Sequence, residues 1–188
     1  MPTHFTVGTE DYPLSRRLFF YTPQTNPNIE AEEFVRFVDT ERAQSIVEDV
    51  GLVSQNIKVG KPFDNDFYPA AMRELTARSE RLSINFRFKS GSDELDTKAL
   101  SDLDRVAKYV DVNAPKRVQL FGFTDSEGGD TAKGKELSER RAKVVEQQLI
   151  QRGIYPLVAK GMGDAAPLAA SNTESGKNIN RRVEVWIL

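Results

Sequence analysis

The sequence predicts an α+β fold for its C-terminal part, a β-α-β-α-β-β sandwich with helices packed on a mixed sheet, preceded by a small, mostly helical fragment. Three observations carry that expectation. Leu82, Ile84, Phe86 and Phe88 alternate with Ser83, Asn85 and Arg87, the period-2 mark of a half-buried strand. Residues 96–111 and 134–152 instead repeat apolar side chains at helical spacing. Short apolar runs at 116–122, 155–160 and 181–188 supply the remaining strands, and strands interleaved with helices make a layered α+β domain.

Taken in order, residues 1–60 form the leading fragment. Residues 12–21 read as extended and partly apolar, and residues 22–28 are rich in turn formers. Two short helices follow, about 29–38 with Phe34, Phe37 and Val38 on one face, and about 40–50 with Ala43, Ile46, Val47 and Val50, stopped by Gly51. Residues 61–80 read as a linker and a helix, the linker pattern starting near 55 and the helix running about 68–80 with Pro69 in its first turn. The better-patterned domain spans 81–188. Its first helix has Asp96 as N-cap and Leu100, Leu103, Ala107 and Val110 as its stripe, and its second is closed by Gly153.

Composition narrows the function. The 188 residues are 39% hydrophobic and 29% charged, as in an ordinary globular protein, and the net charge of −2 gives no basic excess for nucleic acid. There is no cysteine, and the single histidine, His4, lies near a terminus. That removes thiolate chemistry, most imidazole-based hydrolysis and most zinc sites, so no enzyme activity, metal or cofactor is expected. No apolar run approaches the ~18 residues of a membrane helix. The first residues carry neither the basic nor the apolar region of a signal peptide.

Two arginines break the apolar pattern. Arg141 occupies the inward ladder Leu137, Arg141, Val145, Leu149, and Arg181 shares the parity of Val183, Val185 and Ile187. An inward guanidinium needs a carboxylate or carbonyls, and Asp125, at the end of the second strand, is the obvious partner for both. Two readings stand. One is a structural ion pair pinning helix to strand end. The other is a clamp in which the carboxylate holds an ammonium and the arginines hold a carboxylate, selecting a zwitterionic group. Other features read more simply: Gly161-Met-Gly-Asp164 as a turn, the charges of 133–143 as a solvated helix face, and Phe19, Phe20 and Tyr21 as core or interface.

Three strings in order, Gly122-Phe-Thr-Asp-Ser-Glu-Gly128, Leu137-Ser-Glu-Arg-Arg-Ala142 and Asn172-Thr-Glu-Ser-Gly-Lys-Asn-Ile-Asn-Arg-Arg-Val-Glu184, closely resemble the OmpA-like C-terminal domain of OmpA, Pal and MotB proteins. The resemblance covers about 81–188. It implies a periplasmic module that anchors an envelope protein to peptidoglycan without covalent chemistry, by recognising diaminopimelate in the stem peptide. Carried over by motif, the ligand residues fall on Thr124, Asp125, Arg141, Asn180 and Arg181. The sequence departs from the pattern where Phe123 replaces a common His and Gly134 a common Asn. Phe86-Arg-Phe-Lys89 replaces the usual Phe-Asp-Phe-Asp, so a lysine stands where an acidic contact is expected. Residues 12–54 are similar to the last stretch of phosphate-type periplasmic solute-binding proteins. That likeness implies the tail of a larger fusion, without the residues that contact phosphate.

Overall fold

The computed structural model describes residues 2–23, 25, 28–60, 67–89, 92–114, 116–125 and 131–188. The chain divides into two compact units, Met1–Asn56 and Ile57–Leu188.

The first unit contains α1 (His4–Gly8), α2 (Ile29–Val38) and α3 (Glu41–Asp49). Local chemistry sets the helix starts: Asn28 accepts from the N–H groups of Glu30 and Ala31, and Thr40 accepts from that of Ala43. Burial is sparse. The faces expected to be covered are not, since Phe34, Phe37, Ile46 and Val50 are exposed. Phe19, Phe20 and Tyr21, expected as core or interface, are exposed as well. So short a unit has too few apolar partners to enclose them.

The second unit contains β1 (Val59–Gly60), α4 (Ala70–Thr76), β2 (Glu80–Arg87), α5 (Thr97–Val112), β3 (Val118–Phe123), α6 (Thr131–Ile150), β4 (Val158–Gly161), α7 (Glu174–Asn180) and β5 (Arg182–Ile187). The strands form one sheet in the order β1-β2-β5-β3-β4. Only β3 and β4 pair in parallel, so the sheet is mixed, as expected. No helix among the described residues is long and apolar enough to cross a membrane.

One face of the sheet packs Leu82, Ile84, Phe86, Val118, Leu120, Val183, Val185 and Ile187 against Ala99, Leu103 and Val106 of α5 and Val145 and Leu149 of α6. The buried line of α5 is therefore rotated from the expected stripe, and Leu100 lies outside it, half-exposed. The opposite face is covered too. Tyr68 and Met72 of the α4 region pack on Phe121, Phe123 and Trp186. Ser83, Asn85 and Arg87, which alternation would place in water, are consequently buried. Buried charge on this face is paired: the carboxylate of Glu184 accepts from Arg182, from the Trp186 indole at 3.1 Å and from the Tyr68 hydroxyl at 3.1 Å.

Three elements differ from the sequence reading. The segment read as linker and helix contributes β1 and a helix ending at Thr76, and Glu80 opens β2. Helix α7 was not anticipated. It is seven residues long and is started by Thr173, whose hydroxyl accepts from the Gly176 N–H. Glycines set the seat of α6 on the sheet: a Cβ on Gly122 would stand 2.0 Å from the Ser138 carbonyl oxygen, and one on Gly161 2.5 Å from the Glu139 nitrogen.

Candidate ligand-binding site

β3 ends at Phe123 and delivers Thr124 and Asp125 to the edge of the sheet beside α6 and the end of α7. The glycine turn after β4 fixes this point. Gly163, at φ +66°, accepts from the Thr124 N–H at 2.8 Å, and its own N–H donates to the buried Ser138 hydroxyl at 2.9 Å.

Asp125 is paired in two directions. Arg181 donates Nε to Oδ1 and Nη2 to Oδ2, both at 3.0 Å, a bidentate fork. The Thr124 hydroxyl donates to Oδ1 at 3.2 Å. Burial pushes the Asp125 carboxyl upward, but the Arg181 hydrogen bonds and charge outweigh it and hold the group below its ordinary range. The hydrogen bond to Asp125 raises the Arg181 guanidinium in return, against the effect of burial. Arg181 Nη1 is occupied as well, donating to Glu174 Oε1 at 2.9 Å.

Arg141 behaves differently. Its side chain is 2% exposed, and its Nε and Nη1 are buried with no hydrogen-bond partner among the described residues. Among the described residues its only hydrogen bond runs from Nη2 to the Ser92 carbonyl at 3.1 Å. The guanidinium carbon lies 5.1 Å from the centre of the Phe88 ring. Asp93 Oδ1 approaches Nε only to 3.9 Å, while Asp93 Oδ2 lies 3.2 Å from Arg140. Burial lowers the Arg141 guanidinium from its ordinary value, and Asp93 opposes that only in part. The expectation that Asp125 partners both arginines is thus corrected: Asp125 is committed to Arg181, and among the described residues Arg141 is left with unused donors.

Asn180 is close by but fully used elsewhere. Its Oδ1 accepts from the N–H groups of Leu168 at 2.8 Å and Ala169 at 3.0 Å. Its Nδ2 donates to the Ala169 carbonyl at 2.7 Å and the Ser171 hydroxyl at 3.0 Å. A side-chain amide has two donors and two acceptor sites, so none remains for a ligand. Asn180 ties the loop before α7 to the residue before Arg181. Arg182 is likewise internal, its guanidinium 4.1 Å from the Phe123 ring and bonded to Glu184, Asn180 and Ala166. Of the adjacent arginines only Arg181 reaches the site.

The departures now have positions. Phe123 lies on the α4 face, away from Arg141. At Gly134 a Cβ would come within 3.2 Å of the Thr124 methyl. Lys89 is exposed and paired with Glu94. Sequence reasoning missed Ser92 and Asp93, which the turn between β2 and α5 brings to Arg141. The only signal was an acidic residue directly after Gly-Ser in the sequence. Among the described residues no group of three or more His, Asp or Glu is placed to hold a metal.

The chain is 36% identical over 118 residues to the peptidoglycan-associated lipoprotein of Pseudomonas putida, covering 62% of this chain and 65% of that protein. It is 33% identical over 113 residues to outer membrane porin F of Pseudomonas fluorescens, covering 59% of this chain and 34% of the porin. The chain therefore spans between a third and two thirds of the length of these relatives. Among solved structures, the peptidoglycan-associated lipoprotein of Burkholderia pseudomallei superposes with a TM-score of 0.51 at 23% identity, over 55% of this chain and 89% of that one. The cell wall anchor of the T6SS from Pseudomonas aeruginosa gives 0.51 at 21% identity, over 78% of this chain and 94% of that one. These likenesses show a shared fold. The family model described as "OmpA family" matches residues 87–181, just over half of the sequence, and the chain belongs to that family.

Proposed function

We propose that Ile57–Leu188 binds peptidoglycan without covalent chemistry, through the diaminopimelate residue of the stem peptide, and so anchors an envelope protein in the periplasm. The observation that carries this reading is Arg141, a buried guanidinium with two nitrogens unbonded among the described residues, in the field of the ionised Asp125 carboxylate. A buried charge left so is costly unless something completes it. Nε–H and Nη1–H leave from different edges of the guanidinium, so a ligand carboxylate completes one of them with a charge-assisted hydrogen bond. Asp125 Oδ1 accepts from both Arg181 and Thr124, but Oδ2, bonded among the described residues by Arg181, retains acceptor capacity for an ammonium. Diaminopimelate carries both groups on one carbon. In this division of labour Arg141 takes the carboxylate, Asp125 takes the ammonium, and Arg181 keeps Asp125 ionised. The two lipoprotein relatives, each named as peptidoglycan-associated, agree with the reading.

A second reading, a protein- or anion-binding module in which the same charged residues form a structural ion-pair network, is favoured by one observation, the closed Asp125–Arg181 fork. It does not account for Arg141. The likeness of 12–54 to the end of a solute-binding protein is a proposal about origin, supported by its motifs and by apolar side chains left exposed in Met1–Asn56.

Calorimetric titration with a soluble diaminopimelate stem peptide tests the site. Arg141→Met and Asp125→Ala should each weaken binding at least about tenfold, since truncating one partner of a hydrogen-bonded charge pair costs ~2–5 kcal/mol. A stem peptide with lysine at the third position lacks the recognised carboxylate and should bind more weakly. Equal affinity of wild type and both variants would sink the site, and equal affinity for the two peptides would sink the diaminopimelate assignment.

A further inference from the structure

The last carbonyls of a helix have no partner within it, and α7 ends with Ile179 and Asn180 in a buried region. Two arginines of the α4 face receive them. Arg87 Nη1 donates to the carbonyls of Asn178 at 2.9 Å and Ile179 at 2.6 Å. Arg182 Nη1 donates to the carbonyl of Asn180 at 3.3 Å. Arg87 and Arg182 are directly paired across β2 and β5, so two like charges face each other in a buried ladder. Such a juxtaposition is unfavourable unless each guanidinium has its own acceptors. Arg182 has Glu184, and Arg87 has the end of α7. A cation there also suits the partial negative charge of the helix terminus.

The next residue in the chain is Arg181, whose guanidinium lies on Asp125. We propose that Arg87 is a positioning residue for the site. By bonding the last carbonyls of α7 it fixes where the backbone leaves the helix, and so holds Arg181 on Asp125. Asn180 secures the same point from the 168–171 loop, so the backbone before Arg181 is gripped from two directions. The consequence for ligand affinity rests on the wall-binding reading; the placement of Arg181 does not.

The test uses the full chain with Arg87→Met, Arg87→Lys and Arg87→Gln, each well below its melting midpoint. Two quantities are read: solvent exchange of the Arg181 Nε–H by nitrogen-edited NMR without ligand, and calorimetric affinity for the stem peptide. Arg87→Met should speed exchange at Arg181 and weaken the peptide by about fivefold each, the scale of losing one or two net hydrogen bonds. Arg87→Lys, which keeps charge and donors, should recover most of both. A merely structural role would lower the melting midpoint and leave both readings at their wild-type values, and that result would overturn the proposal. Should Arg87→Met not fold, Arg87→Gln decides, and unchanged Arg181 exchange in it overturns the proposal equally. If the wild-type chain does not bind the peptide, the wall-binding reading and its affinity consequence fall, while the exchange measurement still decides the role of Arg87.

Discussion

Asp125 gives up its proton more easily than a free carboxyl because Arg181 is bound across both of its oxygens. The sign of the pH dependence follows. A depressed folded-state value means the pair contributes in full above the unfolded value of 3.8 and is lost as pH falls through the lower folded one. The gap in melting temperature between wild type and Asp125→Asn should therefore be constant from about pH 8 to about pH 5 and should close only below about pH 4. Peptide affinity should show the same acid limb. A midpoint near neutrality in a pH titration of either quantity would contradict the assignment. At this scale much was legible in advance, because Arg141 and Arg181 stand out in an apolar pattern. Which arginine Asp125 chooses was not legible. It depends on Glu174 and the end of α7 steering Arg181, and on a turn that brings Ser92 and Asp93 to Arg141. The Arg181–Asp125 and Arg141–Ser92 contacts join residues 56 and 49 positions apart, beyond the reach of any local period.

At the scale of elements, the site depends on α6 lying close enough to β3 for the charges of Arg141 and Asp125 to interact. Gly122 and Gly161 permit that approach, since a side chain at either would meet the α6 backbone. Gly122→Ala should destabilise the protein by at least ~1–3 kcal/mol, the ordinary cost of overpacking, because a helix carbonyl cannot move as a flexible side chain can. It should also weaken peptide binding in whatever fraction stays folded, through the shifted Arg141. Urea unfolding reads the first effect, and an unchanged midpoint would show that α6 is not seated as described. The strands and the long helices were readable because each carries a whole apolar face. Helix α7 was not, because seven residues with a single buried apolar side chain, Ile179, give no stripe. Its end is held by the Thr173 cap and by arginines from β2 and β5, which are long-range hydrogen bonds and not a pattern.

At the scale of the molecule, the sheet is covered on both faces, and the second cover comes from residues before Arg81. Tyr68 and Met72 are buried against Phe121, Phe123 and Trp186, and Tyr68 also donates to the enclosed Glu184. Alternation in β2 suggested a solvated face because Ser83, Asn85 and Arg87 are polar, but polar residues can be internal when each is bonded. A domain boundary at 81 would therefore uncover a face that holds both aromatic rings and paired charge. Burying a Met or an aromatic side chain is worth ~1.5–3 kcal/mol, so losing Tyr68 and Met72 alone removes ~3–6 kcal/mol. That is a large part of the ~5–15 kcal/mol by which domains are stable. A chain of residues 57–188 should unfold cooperatively in urea. One of residues 81–188 should unfold at a much lower concentration or be unfolded at the outset, with exposed Trp186 fluorescing at longer wavelength. Equal midpoints for the two would show that α4 is an ornament on the sheet. Peptide binding should follow stability here, because Arg87 and Arg182, which hold the end of α7, belong to the face that α4 closes.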